Sequence, residues 1–281
     1  MLSTNDLVNI FLPVLSHWII WLIFLVVVII VLFLYAYPYI KKPRKKFRGY
    51  HIGIPIANIV SLYIFTKLLE GVLYQGSILK VDAWFNKTML ALHYSWLTKI
   101  AFVVTSFGGG ILIYLILIVT IGALFLRKRW RYALLSTVAI LGASVLNLII
   151  KALVHRARPE NLIETGFSFP SGHAITAIVY VSLLIYSYKD DIKHVATKYI
   201  LIIAASTFFV IVGLTRIYLN VHWFSDVIAG MSLGLFWFMF VVLVERSITG
   251  LIQAIRKETK EAKPIEAAEI IKTAKQIIPK K

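Results

Sequence analysis

The sequence contains no cysteine. Disulfides, thiolate metal sites and cysteine nucleophiles are therefore excluded. Charge is scarce, and acidic charge scarcer: 13 Asp and Glu stand against 30 Lys and Arg in 281 residues, a formal net charge of +17. Residues 1–17 hold no Lys or Arg. A secretory signal carries positive charge ahead of its apolar stretch, so the first apolar run is expected to be a permanent membrane span. What abounds is hydrophobic residues, at 59% with a mean hydropathy of +0.83. A soluble domain carries roughly 45–50% apolar residues. The excess implies that lipid solvates much of the surface. The basic residues fall between the apolar runs, so they read as topology signals rather than a nucleic-acid patch, and no nucleic-acid partner is expected.

A membrane-crossing helix needs about 20 mostly apolar residues. Seven runs qualify, at 18–37, 52–73, 100–126, 132–150, 173–188, 199–214 and 223–244. The expected fold is an all-α polytopic membrane helix bundle. Lys and Arg concentrate in alternate connections: Lys41, Lys42, Arg44, Lys45, Lys46 and Arg48 after the first run, then Arg127, Lys128, Arg129 and Arg131 after the third. Lys189, Lys193 and Lys198 follow the fifth run, and a Lys-rich tail follows the seventh. By the positive-inside rule this predicts an outer N-terminus and a cytoplasmic C-terminus. The stretch 77–99 mixes Trp84, Phe85 and Trp96 with Asp82, Lys87 and His93, as suits a helix lying in the outer interface. Three glycines at 108–110 predict a bend. The tail 247–281 reads as a cytoplasmic amphipathic helix, broken at Pro264 and ended at Pro279.

Ionisable residues at span ends are costly and usually functional. Three short segments hold them, all on the predicted outer side. KALVHRARP (151–159) supplies Lys151, Arg156 and Arg158, whose guanidinium forks and ammonium suit phosphate oxygens. His155 and Arg156 within it read either as solvated or headgroup contacts, or as contacts to a second phosphate of a diphosphate. FPSGHA (169–174) opens the fifth run. Ser171 suits an N-cap, Gly172 admits a ligand to the backbone, and His173 follows in the first turn of a helix start that attracts anions. TRIYLNVHWFSDVIAG (215–230) supplies Arg216, with His222 and Asp226 four apart on one expected helix face. A carboxylate on one ring nitrogen leaves the other free to attack. Each segment alone has bland readings, a structural histidine or a metal half-site among them. Together they offer four cations, two histidines and a carboxylate. Clustered cations would repel a metal ion, so a metal-free site for a phosphate dianion is expected, with no cofactor.

These segments resemble the signature of the type 2 phosphatidic acid phosphatase superfamily, which also includes vanadium haloperoxidases. The first motif is matched by Lys151 to Arg158-Pro159 and the second by Pro170-Ser171-Gly172-His173. The third is matched by Arg216, His222 and Asp226, with Thr215 where the family usually has serine. The resemblance covers roughly 100–244. It implies a six-helix lipid phosphatase core, so that 1–50 forms an extra N-terminal membrane helix with a basic loop, 51–246 the phosphatase domain and 247–281 the tail. By resemblance His222 is the nucleophile, Asp226 orients it and His173 protonates the leaving oxygen. Lys151, Arg158, Ser171, Gly172 and Arg216 hold the phosphate.

The implied activity is hydrolysis of a lipid phosphate or diphosphate on the extracytoplasmic side. Family substrates include phosphatidic acid, phosphatidylglycerol phosphate, undecaprenyl diphosphate and sphingoid phosphates, and undecaprenyl diphosphate is the first choice. A lipid phosphotransferase would use the same phosphohistidine. A haloperoxidase would need vanadate in the pocket, and its soluble relatives lack seven spans. An anion or lipid transporter is the reading from another class. Small residues at Gly142, Ala143, Ser144, Gly230 and Gly234 are expected to pack the spans and let a lipid enter between them.

Overall fold

The computed structural model describes residues 4–41, 50–159, 164–188 and 191–277, with side chains over 17–36, 53–159, 164–188, 191–253 and 255. Every element among them is helical. In chain order these are α1 (Thr4–Lys41), α2 (Tyr50–Leu73), α3 (Ile78–Ala91), α4 (Ser95–Gly108), α5 (Gly110–Leu126), α6 (Trp130–Val154), α7 (Gly172–Tyr188), α8 (Val195–Tyr218) and α9 (Phe224–Ile277). Six stretches are long and apolar enough to cross a membrane: His17–Ala36, Gly53–Leu73, Ser95–Leu126, Trp130–Val154, Val195–Tyr218 and Phe224–Gln253. The seventh run, α7, has 17 residues, or about 25 Å of helix. It is well enclosed, with Ala174, Ile175, Ala177, Ile178, Val179 and Val181 all buried. The chain is a multi-pass membrane protein. Its core lies where α7 meets α9 and α6 (Ile175, Ile178, Leu183, Leu233, Ala139, Ala143), while Ile111, Val119, Leu134 and Leu148 face outward, as lipid requires.

Three local expectations need correction. The third span begins at Ser95, so Trp96 and Lys99 belong to it; the separate helix is α3 alone. The glycine triplet does more than bend the span. It ends α4 and restarts the chain as α5, with Gly109 extended and Gly110 at φ +67°, a value that favours glycine. Pro264 does not break the tail, because α9 runs unbroken to Ile277. The six basic residues expected between the first two spans include five, from Lys42 to Arg48, that lie outside the described residues.

Close packing is set by small residues, as expected. A Cβ at Gly230 would stand 2.6 Å from the Ser171 carbonyl oxygen, and one at Gly234 would stand 3.0 Å from that of Ile175. Bare backbone there draws α9 against the start of α7. The first helix joins through a polar cluster: Glu70 of α2 accepts from His17 Nδ1 at 2.9 Å, Trp21 Nε1 at 3.3 Å and Lys67 Nζ at 2.9 Å. At the opposite end of the bundle Arg129 pairs with Asp191, and Arg131 with Glu245.

Candidate active site

The C-terminal ends of α6 and α8 and the N-terminal ends of α7 and α9 meet at one end of the bundle. His222 occupies a tight turn between α8 and α9. Asn220 takes φ +55°, which asparagine tolerates better than most residues. The Val221 and His222 N–H groups then both donate to the Arg216 carbonyl, at 3.2 and 3.3 Å. His222 thus precedes the helix on which it was expected. Asp226, in the first turn of α9, reaches back to accept from Trp223 N–H at 3.0 Å, much as the third residue of a capping box does. The same oxygen, Oδ2, accepts from His222 Nδ1 at 3.4 Å. The imidazole is 3% exposed and the carboxylate not at all.

The other ring nitrogen faces cations. Arg158 Nη1 lies 3.3 Å from His222 Nε2 and donates to the Val221 carbonyl at 2.7 Å. Because the guanidinium only donates, Nε2 keeps its lone pair. Arg216, 2% exposed, donates through Nη1 to Thr105 Oγ1 at 3.0 Å. The Glu164 carboxylate bridges the two guanidiniums, pairing with Arg158 at 2.9 Å and with Arg216. Partial burial acts to raise its pKa, but the charges of Arg216 and then Arg158 outweigh that and hold it below the ordinary range. Burial pushes His222 down to about 4. Hydrogen bonding to Asp226 offsets this in part, while Arg216 and Arg158 add to it.

His173 lies in the first turn of α7, against the extended Gly109. A Cβ there would come within 2.0 Å of its Cδ2. His173 lines two cavities on either side of the α4–α5 break. One, of 220 Å³, is also bordered by Tyr114, Ser144 and Asn147. The other, of 260 Å³, is bordered by Phe102, Ile111, Leu112, Glu164 and Arg216. Ser171 holds the N-cap position of α7, since its carbonyl accepts from Ile175 N–H at 3.1 Å. Its hydroxyl does not cap and is without a hydrogen-bond partner among the described residues. Its N–H goes to the Asp226 carbonyl at 2.9 Å, tying the second segment to the third. Gly172 packs on Asn147, whose Nδ2 would meet a Cβ at 3.0 Å. Lys151 Nζ donates to the carbonyls of Phe167 and of Ser168, the latter at 3.2 Å. The Thr215 hydroxyl bonds the Val212 carbonyl at 2.6 Å within α8.

Of the two flanking residues, one departs from expectation. His155 is exposed, as the solvated reading expects; it closes α6 in the left-handed conformation and meets the Phe167 ring edge-on at 4.4 Å. Arg156 turns away from the cradle toward Asp226, Ser225 and Asp82. Sequence reasoning also missed Glu164 and the role of Asp82. Asp82 shares a face of α3 with Phe85 and Met89, which pack on the core; a carboxylate within an apolar stripe was the available signal. Among the described residues no group of three or more His, Asp or Glu is arranged to hold a metal ion.

Comparison with known proteins agrees with this geometry. The family model for the PAP2 superfamily matches residues 131–248. Phosphatidylglycerophosphatase B of Bacillus subtilis (strain 168) is 31% identical over 187 residues, covering 65% of this chain and 92% of that one. An undecaprenyl-diphosphatase of Sulfolobus acidocaldarius is 28% identical over 223 residues, covering 76% and 99%. The crystal structure of a transmembrane PAP2 type phosphatidylglycerolphosphate phosphatase from Bacillus subtilis superposes with a TM-score of 0.59 at 28% identity, covering 66% of this chain and 94% of that one. With the three motif segments gathered at one end of a matching bundle, the chain belongs to the PAP2 superfamily, as a multi-pass membrane phosphatase.

Proposed function

We propose that this chain hydrolyses a lipid phosphate or diphosphate at the extracytoplasmic face through a phosphohistidine formed on His222, without a metal ion. The observation that carries the reading is the His222 ring held between two opposite environments: Asp226 on Nδ1 and the Arg158–Arg216 cradle before Nε2. The substrate phosphate takes the position of the Glu164 carboxylate between the two guanidiniums, with Lys151, Ser171 and Gly172 at its edge. His222 Nε2 attacks phosphorus as the bond to the lipid oxygen breaks. His173 gives that oxygen its proton and then takes one from the water that attacks the phosphohistidine, releasing inorganic phosphate. Preorganised cations stabilise the charge on the equatorial oxygens in both steps. The apolar cavity of Phe102, Ile111 and Leu112 beside Arg216 offers the lipid chain a way in from the bilayer.

The charge pattern supports the outer face: the site lies at the end of the bundle away from Arg127, Arg129, Arg131 and Lys198. Undecaprenyl diphosphate is the first substrate proposed, with phosphatidylglycerol phosphate and phosphatidic acid as alternatives; the two relatives above carry names for the first two. The test is phosphate release by purified protein on a panel of these lipids, in excess chelator. Activity should survive the chelator. His222→Ala and His173→Ala should each lower kcat by about 10⁴-fold or more, and an acid-labile phosphoryl adduct should trap on His222. Phosphate passed to a second lipid instead of released would mark a phosphotransferase. Wild-type turnover by His222→Ala would end the reading.

A further inference from the structure

We infer that Asp82 and Arg156 act together as positioning residues, clamping the Asp226 carboxylate from behind and so aiming His222. The inference rests on the reading of His222 as nucleophile. Arg156 lies between the matched residues Lys151 and Arg158 but not at a motif position. Its Nη1 donates to Asp226 Oδ1 at 2.6 Å and to Ser225 Oγ at 2.7 Å, and its Nη2 donates to Asp82 Oδ2 at 2.6 Å. Asp82 belongs to α3, outside the motif segments. It is 1% exposed, and it accepts from Ser225 N–H at 2.8 Å through Oδ1 and from Ser225 Oγ at 2.6 Å through Oδ2.

The effect is to engage both oxygens of Asp226. Oδ2 takes His222 Nδ1 and Trp223 N–H, while Oδ1 takes Arg156. A carboxylate so held cannot rotate, and the proton on His222 Nδ1 has one acceptor. Three charges in a row, carboxylate, guanidinium and carboxylate, leave a single net negative charge behind the ring. Arg156 weakens the pull of Asp226 on a protonated His222, and Asp82 in turn weakens Arg156. The remaining charged or titratable groups around the ring are Arg158, Arg216, Glu164, His173 and Lys151. None of them is altered by changing the pair.

The test compares wild type with Arg156→Gln, Asp82→Asn and the milder Ser225→Ala in detergent. It measures kcat, KM and the pH profile on both a monophosphate and a diphosphate lipid, with thermal unfolding as a control. Arg156→Gln and Asp82→Asn should lower kcat by about 10–100-fold, the range for partners that orient an active histidine, equally on both substrates and with KM little changed. The acid limb of kcat/KM should move in opposite directions. Removing the guanidinium leaves Asp226 fully negative and raises the limb; removing the Asp82 charge strengthens Arg156 and lowers it. Ser225→Ala should show a smaller loss of the same kind. Three outcomes overturn the inference: wild-type kcat in all variants, losses that merely track the unfolded fraction, or a rise in KM confined to the diphosphate, which would return Arg156 to substrate binding. His222→Ala in the same assay keeps the two claims apart. If it is inactive while the pair variants behave as wild type, only the clamp fails.

Discussion

An imidazole enclosed by protein and faced by two guanidiniums is held neutral. Burial first, then Arg216 and Arg158, bring His222 from its ordinary 6.5 to about 4, against the pull of Asp226. In the proposed mechanism the neutral ring attacks, so activity is present above the folded value and is lost as pH falls through it. Corrected for ionisation of the substrate phosphate, the acid limb of kcat/KM that reports His222 should therefore fall near pH 4. A limb at 6.5 would show the ring to be solvated. At this scale much was legible. Lys151, Arg158, His173, Arg216, His222 and Asp226 carry their chemistry in residue type and spacing, and the structure gathers them. Glu164 and the orientation of Arg156 were not legible, and Asp82 showed only as a carboxylate in an apolar stripe, because each acts through a partner distant in the chain: Asp82 lies 143 residues from Ser225 and 74 from Arg156. Sequence spacing carries no sign of such contacts.

Among elements, the break between α4 and α5 matters most to the site. Gly109 passes so close to His173 that any side chain must displace the ring. Gly109→Ala should leave the protein folded, since the backbone there is extended, yet lower kcat on the order of 10²-fold, as a displacement of about 1 Å can do. Steady-state kinetics beside thermal unfolding would separate the two effects, and unchanged kcat would refute the contact. The glycine triplet announced a bend but not its purpose, which lies in a histidine 64 residues further along the sequence. Helix ends were misjudged where tertiary packing overrides local signals. Residues 95–99 read as interfacial from their polarity, yet α4 extends through them, with Tyr218 bonding Tyr94 and Thr98. Pro264 sits within a continuing helix, against the usual cost of an interior proline.

At the scale of the molecule, six stretches are long and apolar enough to cross a membrane and α7 is shorter. On the proposed topology α7 crosses too, which makes the number of crossings odd and puts the two ends on opposite sides, with the basic connections inside. A cysteine placed at Asn161 should react with an impermeant thiol reagent added outside intact cells, and one at Arg127 only after permeabilisation; the absence of native cysteine removes background. The reverse pattern would put the site on the cytoplasmic face. The bundle architecture was readable because membrane thickness dictates run length. What it could not convey was how the helix ends that carry the motifs converge. The bridging Glu164 carries a further consequence. A phosphate that takes this place, as proposed, exchanges with an anion already seated, so its electrostatic gain is only the difference between the two. Small ions dissolved in the medium bring nothing more to that exchange, whereas a substrate with a hydrocarbon tail keeps that tail in the bilayer and arrives at high local concentration. Discrimination between free orthophosphate and its lipid esters then falls to the membrane rather than to the guanidiniums.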